Sequence, residues 1–338
     1  MEFKVPIRNL FCILSYVHEI PELVKSLNEV DEDIITYDFI ANEFLKEVDR
    51  ISHRGLVKSY VTHVEPTGRL GGRLLLNESI PYFIARKPLV VCEKDEYSAN
   101  VLENQLLKAT LKAISYNKYV KEETRKRSFM MLDLFPEVDV LPLTKGIFNR
   151  VHFSKHNAYY KRSIHIAKIL HELTLLSHKQ GDWSLFKAEL DEKALNHLFE
   201  KFLFHFYRME QNEYKVSSER FSWNLQGNEA LLPSMVTDVS LTHKNGREKI
   251  IIDAKFYKHI FQEHFGKQTF HSHNMYQLFT YLMHQPQELD VRGVLIYPFN
   301  GRDVQESFVW DERMKIEVLT LNLNLPWREI YDRVIQVL

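Results

Sequence analysis

Two cysteines in 338 residues, Cys12 and Cys92, are too few and too far apart for a disulfide framework or a Cys-rich metal or redox motif. A reducing, cytoplasmic setting is the expectation. Charge of one sign is missing as well: 44 Lys and Arg against 45 Asp and Glu leave a net charge of −1. A protein that grips DNA alone usually carries a basic excess, so a nucleic acid substrate would be held by a local patch or presented by a partner. No apolar run is long enough to span a bilayer. The first one, residues 10–17, is interrupted by Ser15 and lacks a small-residue cleavage site, so no secretory leader is expected. Nucleotide-binding loops are also missing. Gly68, Gly71 and Gly72 fit neither G-x-x-x-x-G-K-[ST] nor G-x-G-x-x-G and read as turn or bulge glycines. No serine has a G-x-S-x-G context. Nucleotide hydrolysis by this chain alone is therefore not expected, and no fixed-period repeat is visible.

What is present is 45% apolar residues, enough for real cores, in a length that favours two domains. Residues 5–20 read as an extended entry followed by a helix. Thr36 is placed to cap a helix carrying Ile40, Phe44, Leu45, Val48 and Ile51 at helical spacing. Residues 56–76 alternate and turn at Pro66-Thr67-Gly68, which predicts strands. Ser98 is a candidate cap for a helix through Leu102, Leu106, Leu107, Thr110 and Ile114. The charged stretch 121–127 reads as a solvated helical face. From about residue 159 the pattern changes to helix (159–176), helix (193–210), hairpin, helix (271–284) and strand (293–299), an α/β module. The expected division is an α+β domain over 1–158 and an α/β domain over 159–338.

The hairpin carries the chemistry. Asn245-Gly246 is a strong two-residue turn signal. With Lys244 opposite Arg247, Asp238 falls directly opposite Asp253, their β-carbons ~5 Å apart. Lys255 shares that face because side chains alternate. Two carboxylates facing each other are repulsive unless a cation lies between them. Hard oxygen donors favour Mg²⁺, with the Ala254 carbonyl as a further ligand. On the following helix Gln277 and Tyr281 stand at i and i+4 and adjoin each other, placed for phosphate or water contacts. The plainer alternatives are a solvated Asp/Lys strand end and an ordinary amphipathic helix. For Glu200 two readings stay open, an additional acid of the site and, as the favoured one, a solvent-facing glutamate on its helix. A zinc site at His271-x-His273, with His264 nearby, has no cysteine to complete it and is not favoured. Arg8 and Asn9 suit either a partner contact or local packing.

Asp238, Asp253-x-Lys255 and Gln277-x-x-x-Tyr281 resemble the PD-(D/E)xK nuclease superfamily in its QxxxY form. A longer likeness is more specific. VPIRNLFCILSYV (5–17), TGRLGGRL (67–74), NVLENQLLKATL (100–111), LLPSMVTDVSL (231–241), IIIDAKFYK (250–258) and FHSHNMYQLFTYL (270–282) together resemble the McrC family, the nuclease subunits of McrBC-type restriction systems. The resemblance implies a PD-(D/E)xK restriction-endonuclease-like domain over 159–338 that cuts double-stranded DNA with Mg²⁺. It implies a domain over 1–158 that binds an McrB-type AAA+ GTPase ring and stimulates it. Asp238, Asp253 and Lys255 match the family's catalytic positions, with Gln277 and Tyr281 as support. Thr237 stands where the superfamily's name has proline. Two other readings remain open at this point: a stand-alone nuclease, and a scaffold or NTPase activator whose nuclease site is inactive.

Overall fold

A computed structural model of the protein describes residues 5–25, 36–144, 146–177, 192–223, 225–256, 260–264 and 267–338. They form two compact units, Thr36–Glu172 and the pair of segments Met1–Ile35 with Leu173–Leu338. Division near residue 158 is the sequence expectation; the first segment instead belongs with the C-terminal one. Helix α1 (Ile7–Val17) is the reason. It is buried on nearly every side, and Asn9 donates to the carbonyls of Leu323 (2.8 Å) and Leu325 (2.9 Å). Of the two roles open for Asn9, local packing is the one seen. A short helix α2 (Glu22–Lys25) follows α1.

The Thr36–Glu172 unit opens with α3 (Tyr37–Arg54), where the Thr36 hydroxyl accepts from the Phe39 N–H as expected. Its stripe Ile40, Phe44, Leu45, Val48 and Ile51 is buried. Next come β1 (Ser59–Thr67), β2 (Arg73–Leu74), α4 (Leu76–Ile84) and β3 (Val90–Ser98). The strands form a sheet in the order β1-β3-β2, antiparallel throughout. Gly72 is required there: its φ is +75°, and a Cβ would lie 2.1 Å from the Glu93 carbonyl oxygen. The next helix, α5 (Leu102–Ser115), starts at Val101 rather than at Ser98. Ser98 ends β3, and its hydroxyl accepts from the Asn100 N–H, forming a local turn instead of a helix cap. The charged α6 (Glu122–Met130) buries only Thr124 and Ser128, as a solvated helix should. The line between the two units falls within α7 (Lys161–Ser177).

The other unit resumes with α8 (Glu192–Glu210) and builds a six-stranded sheet. Its strands are β4 (Tyr214–Ser217), β7 (Val239–His243), β8 (Glu248–Ala254), β11 (Asp290–Pro298), β12 (Gln305–Val309) and β13 (Met314–Leu321). Outside that sheet, β5 (Arg220–Phe221) pairs with β6 (Met235–Val236) and β9 (Phe261–His264) with β10 (Lys267–Phe270). The large sheet runs β12-β13-β11-β8-β7-β4, with β11 parallel to both β8 and β13 and the other pairs antiparallel. Helix α9 (Ser272–Met283) makes the crossover from β8 to β11 that parallel strands require. Leu278, Tyr281 and Leu282 of α9 pack on Ile251, Leu295 and Tyr297. The approach is close at Gly293, where a Cβ would meet Leu282 at 2.8 Å. On α8, Phe202 and Phe206 meet Tyr16 of α1, which also stacks on Trp327 of α10 (Trp327–Ile335).

The β7–β8 hairpin keeps the expected register, Val239 opposite Ile252 and Thr242 opposite Lys249. The turn itself differs. The His243 carbonyl accepts from the Gly246 N–H at 2.9 Å, so the reversal begins one residue earlier than a two-residue Asn-Gly turn. Gly246 takes φ +71°, and the Asn245 side chain accepts from the Arg247 N–H. Lys244 does not pair with Arg247; its N–H goes to the Glu213 carbonyl. A four-residue loop over 244–247 leaves the same strand residues facing each other, so the register survives the change of turn.

Candidate active site

Asp253 and Ala254 are the last residues of β8, a central strand with β7 on one side and β11 on the other. Three isoleucines, 250 to 252, hold this strand in the core, and the chain carries an acid on the same run to zero exposure at Asp253. An isolated buried carboxylate is costly. Lys255, 7% exposed, answers it with its ammonium 3.1 Å from Asp253 Oδ1 and 2.9 Å from Oδ2. The Lys255 N–H extends the parallel ladder to the Ile296 carbonyl, which fixes where that lysine starts.

Asp238 lies one residue before β7, and the ladder read one step further places it opposite Asp253. Its Oδ2 accepts from the Ala254 N–H at 2.8 Å. The sequence reading of two carboxylates and a lysine at one strand end is thus what the chain builds. Thr237 is buried and pinned: its N–H donates to the Glu219 carbonyl, and its hydroxyl accepts from the Glu219 N–H.

Both aspartates are pushed above the ordinary carboxylate range, first by burial and, for Asp253, also by the charge of Asp238; Lys255 opposes the rise at both. Glu200 belongs to the same electrostatic group. Burial raises its carboxyl to about 7, Asp238 adds to that, and Lys255 opposes it. The solvent-facing reading of Glu200 therefore fails. Its carboxylate is half-buried, accepts a short hydrogen bond from Asn196, and stands 3.5 Å from His197 Nδ1. Phe199 beside it packs edge-on to Phe256 at 5.7 Å, which presses this turn of α8 on the end of β8. Sequence reading missed Asn196 altogether. The signal available was an Asn and a Glu at i and i+4 flanking a buried phenylalanine.

Gln277 and Tyr281 do adjoin: the Gln277 amide donates to the Tyr281 hydroxyl at 2.8 Å. That hydroxyl in turn donates to the Val236 carbonyl at 2.8 Å. Tyr281 thus braces the segment two residues before Asp238. His271 and His273 have ring centroids 5.7 Å apart, and His273 is held below its ordinary value by desolvation, then by His271 and Lys255. The side chain of His264 and residues 257–259 lie outside the described residues.

The donor set can be tested against a divalent cation. Among the described residues no three acidic, His or Cys side chains enclose an ion by themselves. The available donors are one oxygen each from Asp238 and Asp253 and the Ala254 carbonyl, the rest being left to water. That is the habit of Mg²⁺, which keeps several waters, and not of zinc. Asp253 Oδ2 is the most telling atom: buried, with no hydrogen bond and only the ammonium of Lys255 against it. The residues fit a small hard cation.

Comparison with known proteins gives one family and a small set of relatives. Across 98% of its length and 97% of theirs, the chain is 26% identical to the type IV methyl-directed restriction enzyme EcoKMcrBC of Escherichia coli K12. Among solved structures it is similar to a chain in the half-complex of Thermococcus gammatolerans McrB AAA+ hexamers with bound McrC, at 18% identity and TM-score 0.47, covering 89% of this chain and 67% of that one. A second Thermococcus gammatolerans McrBC complex aligns over 62% of this chain and 60% of that one, at 19% identity and TM-score 0.38. The family model described as McrBC 5-methylcytosine restriction system component matches residues 6–298, and the chain belongs to that family.

Proposed function

We propose that the chain is the DNA-cutting subunit of a GTP-dependent restriction complex. In this reading the unit with the six-stranded sheet hydrolyses a phosphodiester bond, and the Thr36–Glu172 unit engages and stimulates an AAA+ GTPase ring. The carrying observation is the convergence of Asp238, Asp253 and Lys255 on the end of one buried strand. Helix α8, three antiparallel strands, α9 and a parallel strand around that point also agree with a PD-(D/E)xK core. Family membership supports the restriction role, and the E. coli relative is named as a methyl-directed enzyme.

Asp238, Asp253 and the Ala254 carbonyl would hold Mg²⁺, which when bound supplies charge neutralisation and a more acidic water. Lys255 favours the ionised form of Asp253 against the pull of burial and would present its ammonium to a phosphate oxygen or the attacking water. In hydrolysis one water oxygen bonds to phosphorus as one ester P–O bond breaks, and negative charge builds on the phosphoryl oxygens. A lysine fixed on a central strand meets that charge without first reorganising. Tyr281 and Gln277 act at one remove by holding Val236, and so the approach to Asp238.

The test is cleavage by Asp253→Ala and Lys255→Ala with the partner ring, GTP and Mg²⁺. Each is expected to lose on the order of 10²-fold or more, while GTP turnover by the ring is unchanged. Wild-type cleavage rates in either variant would remove the assignment.

A further inference from the structure

Asp238 stands where two ladders fall out of step. Strand β4 pairs with β7 as far as Ser217 opposite Ser240, and β5 pairs with β6 from Arg220 opposite Val236 onward. Between those pairs lie Ser218 and Glu219 on one strand, and Thr237, Asp238 and Val239 on the other. The strand that carries Asp238 therefore has one residue more than its partner, which defines a β-bulge. A bulge re-aims a side chain and disrupts the main-chain ladder around it. Here side chains mend the break. The Thr237 N–H donates to the Glu219 carbonyl at 2.9 Å, as in an ordinary pair. The return bond does not reach the Thr237 carbonyl. The Glu219 N–H donates to the Thr237 hydroxyl instead (2.9 Å), and the Ser218 hydroxyl donates to the Thr237 carbonyl (2.6 Å). The Thr237 hydroxyl also meets that of Ser240 at 2.8 Å, across the extra residue. Glu219 is anchored in turn by Lys249 of β8.

We propose that Thr237 is a positioning residue: bonded to Ser218 and Glu219, it latches this bulge and so aims the Asp238 carboxylate at the end of β8. The inference rests on the nuclease reading above. Thr237 is 1% exposed and Ser240 fully buried, so water is a poor substitute for the hydroxyl between them. A proline here, the residue of the superfamily's name, has neither N–H nor hydroxyl and could make neither bond to Glu219. The latch is thus a feature of this chain rather than of the motif.

The experiment starts with hydrogen exchange, amide by amide, in the metal-free full-length chain. Thr237→Val keeps the branched shape and deletes the hydroxyl. The Ala254 N–H, whose acceptor is Asp238, should then exchange roughly tenfold faster or more, the weight of about one buried hydrogen bond. The Lys255 N–H, held by the Ile296 carbonyl, should keep its rate. A general loss of stability would speed both alike. With the partner ring, GTP and Mg²⁺, Thr237→Val should cleave DNA about tenfold more slowly or worse, with GTP turnover unchanged. Thr237→Ser, which restores the hydroxyl, should recover both readouts. Ser218→Ala, at the exposed end of the latch, should move both in the same direction as Thr237→Val and guards against a Thr237 variant that does not fold. Wild-type exchange at Ala254 or wild-type cleavage in the folded variants would overturn the proposal, as would a Thr237→Ser variant no better than Thr237→Val. An Asp253→Ala arm separates the two readings. If it is inactive while Thr237→Val cleaves normally, only the role of Thr237 fails. If it cleaves at the wild-type rate, the nuclease site is misassigned and the role of Thr237 falls with it.

Discussion

Two buried polar clusters in this chain solve opposite problems. In the Thr36–Glu172 unit Asn104 is fully buried. Its NH₂ donates to the carbonyls of Val57 (2.8 Å) and Ala99 (2.7 Å), and its oxygen accepts from the Tyr160 hydroxyl (2.6 Å). Tyr160 accepts in turn from the Val57 N–H at 3.0 Å. At the end of β8, Asp253 is equally buried, yet Asp238 and Glu200 crowd it with like charge, and one of its oxygens lacks a hydrogen bond. A matched network stabilises a fold, whereas an overloaded one is stable only with something added. The first cluster reads as architecture, and the second, on the proposed nuclease reading, as a place that a cation would complete.

The largest test of that contrast is the pair Asn104→Leu and Asp253→Asn, unfolded by urea in chelator at pH 8. The first strands two carbonyls and a hydroxyl and should cost about 3 kcal/mol or more. The second relieves repulsion among the acids but takes a partner from the buried Lys255 ammonium, and the two largely offset, so the change should stay within about 1 kcal/mol of zero. Equal destabilisation by both would erase the distinction.

A smaller effect, of opposite sign in the two units, should appear with pH. In the unfolded chain Glu200 ionises near its ordinary 4.5, but in the fold only near 7. Between these values the folded state holds the extra proton, so metal-free stability should fall as pH rises from about 4.5 to about 7, by on the order of 1–3 kcal/mol. Glu200→Gln should flatten this slope, and saturating Mg²⁺ should remove it, because a bound cation rewards the ionised acids. His171 behaves in reverse. Burial lowers it from 6.5, and its Nε2 has no hydrogen bond. The unfolded chain protonates this residue first, so its contribution is lost as pH falls through the ordinary histidine range. His171→Gln should leave more stability at pH 5.5 than wild type retains relative to pH 8.

The smallest effect is expected from Tyr281→Phe, which removes the donor to the Val236 carbonyl. Stability should fall by about 1 kcal/mol and cleavage by roughly tenfold, through looser placement of Asp238. Cleavage unchanged at equal loss of stability would make Tyr281 a core residue and no more.

The part of this site that was legible in the sequence is the part set by local rules. Alternation and one Asn-Gly pair put Asp238, Asp253 and Lys255 together, and the pairing held even though the turn formed one residue earlier. Thr36 announced α3 because a cap is a short-range bond. Ser98 misled because the same hydroxyl serves equally well in a turn after a strand. For Glu200 the favoured, solvent-facing reading failed because helical periodicity reports which stripe is apolar, but not that β8 ends against the polar edge of that stripe. The division at 158 shifted for a related reason. The pattern of residues 7–17 says helix, and nothing in it says that its apolar surface meets α8 and α10. A cut at 158 would put α1 on one fragment and its core on the other, so tests of the two units should use joined segments 1–35 and 173–338.

That placement of α1 also has a consequence during synthesis. The amide of Asn9 finds its acceptor at Leu323, 314 residues later in the chain. At about 5–20 residues per second, a ribosome needs roughly 15–60 s to make that partner after α1 has been translated. The contiguous Thr36–Glu172 unit can fold while the chain is still growing. The end of β8 is not fully backed until α10 has been made, so a nascent chain that stops short of α10 carries an unfinished six-stranded unit.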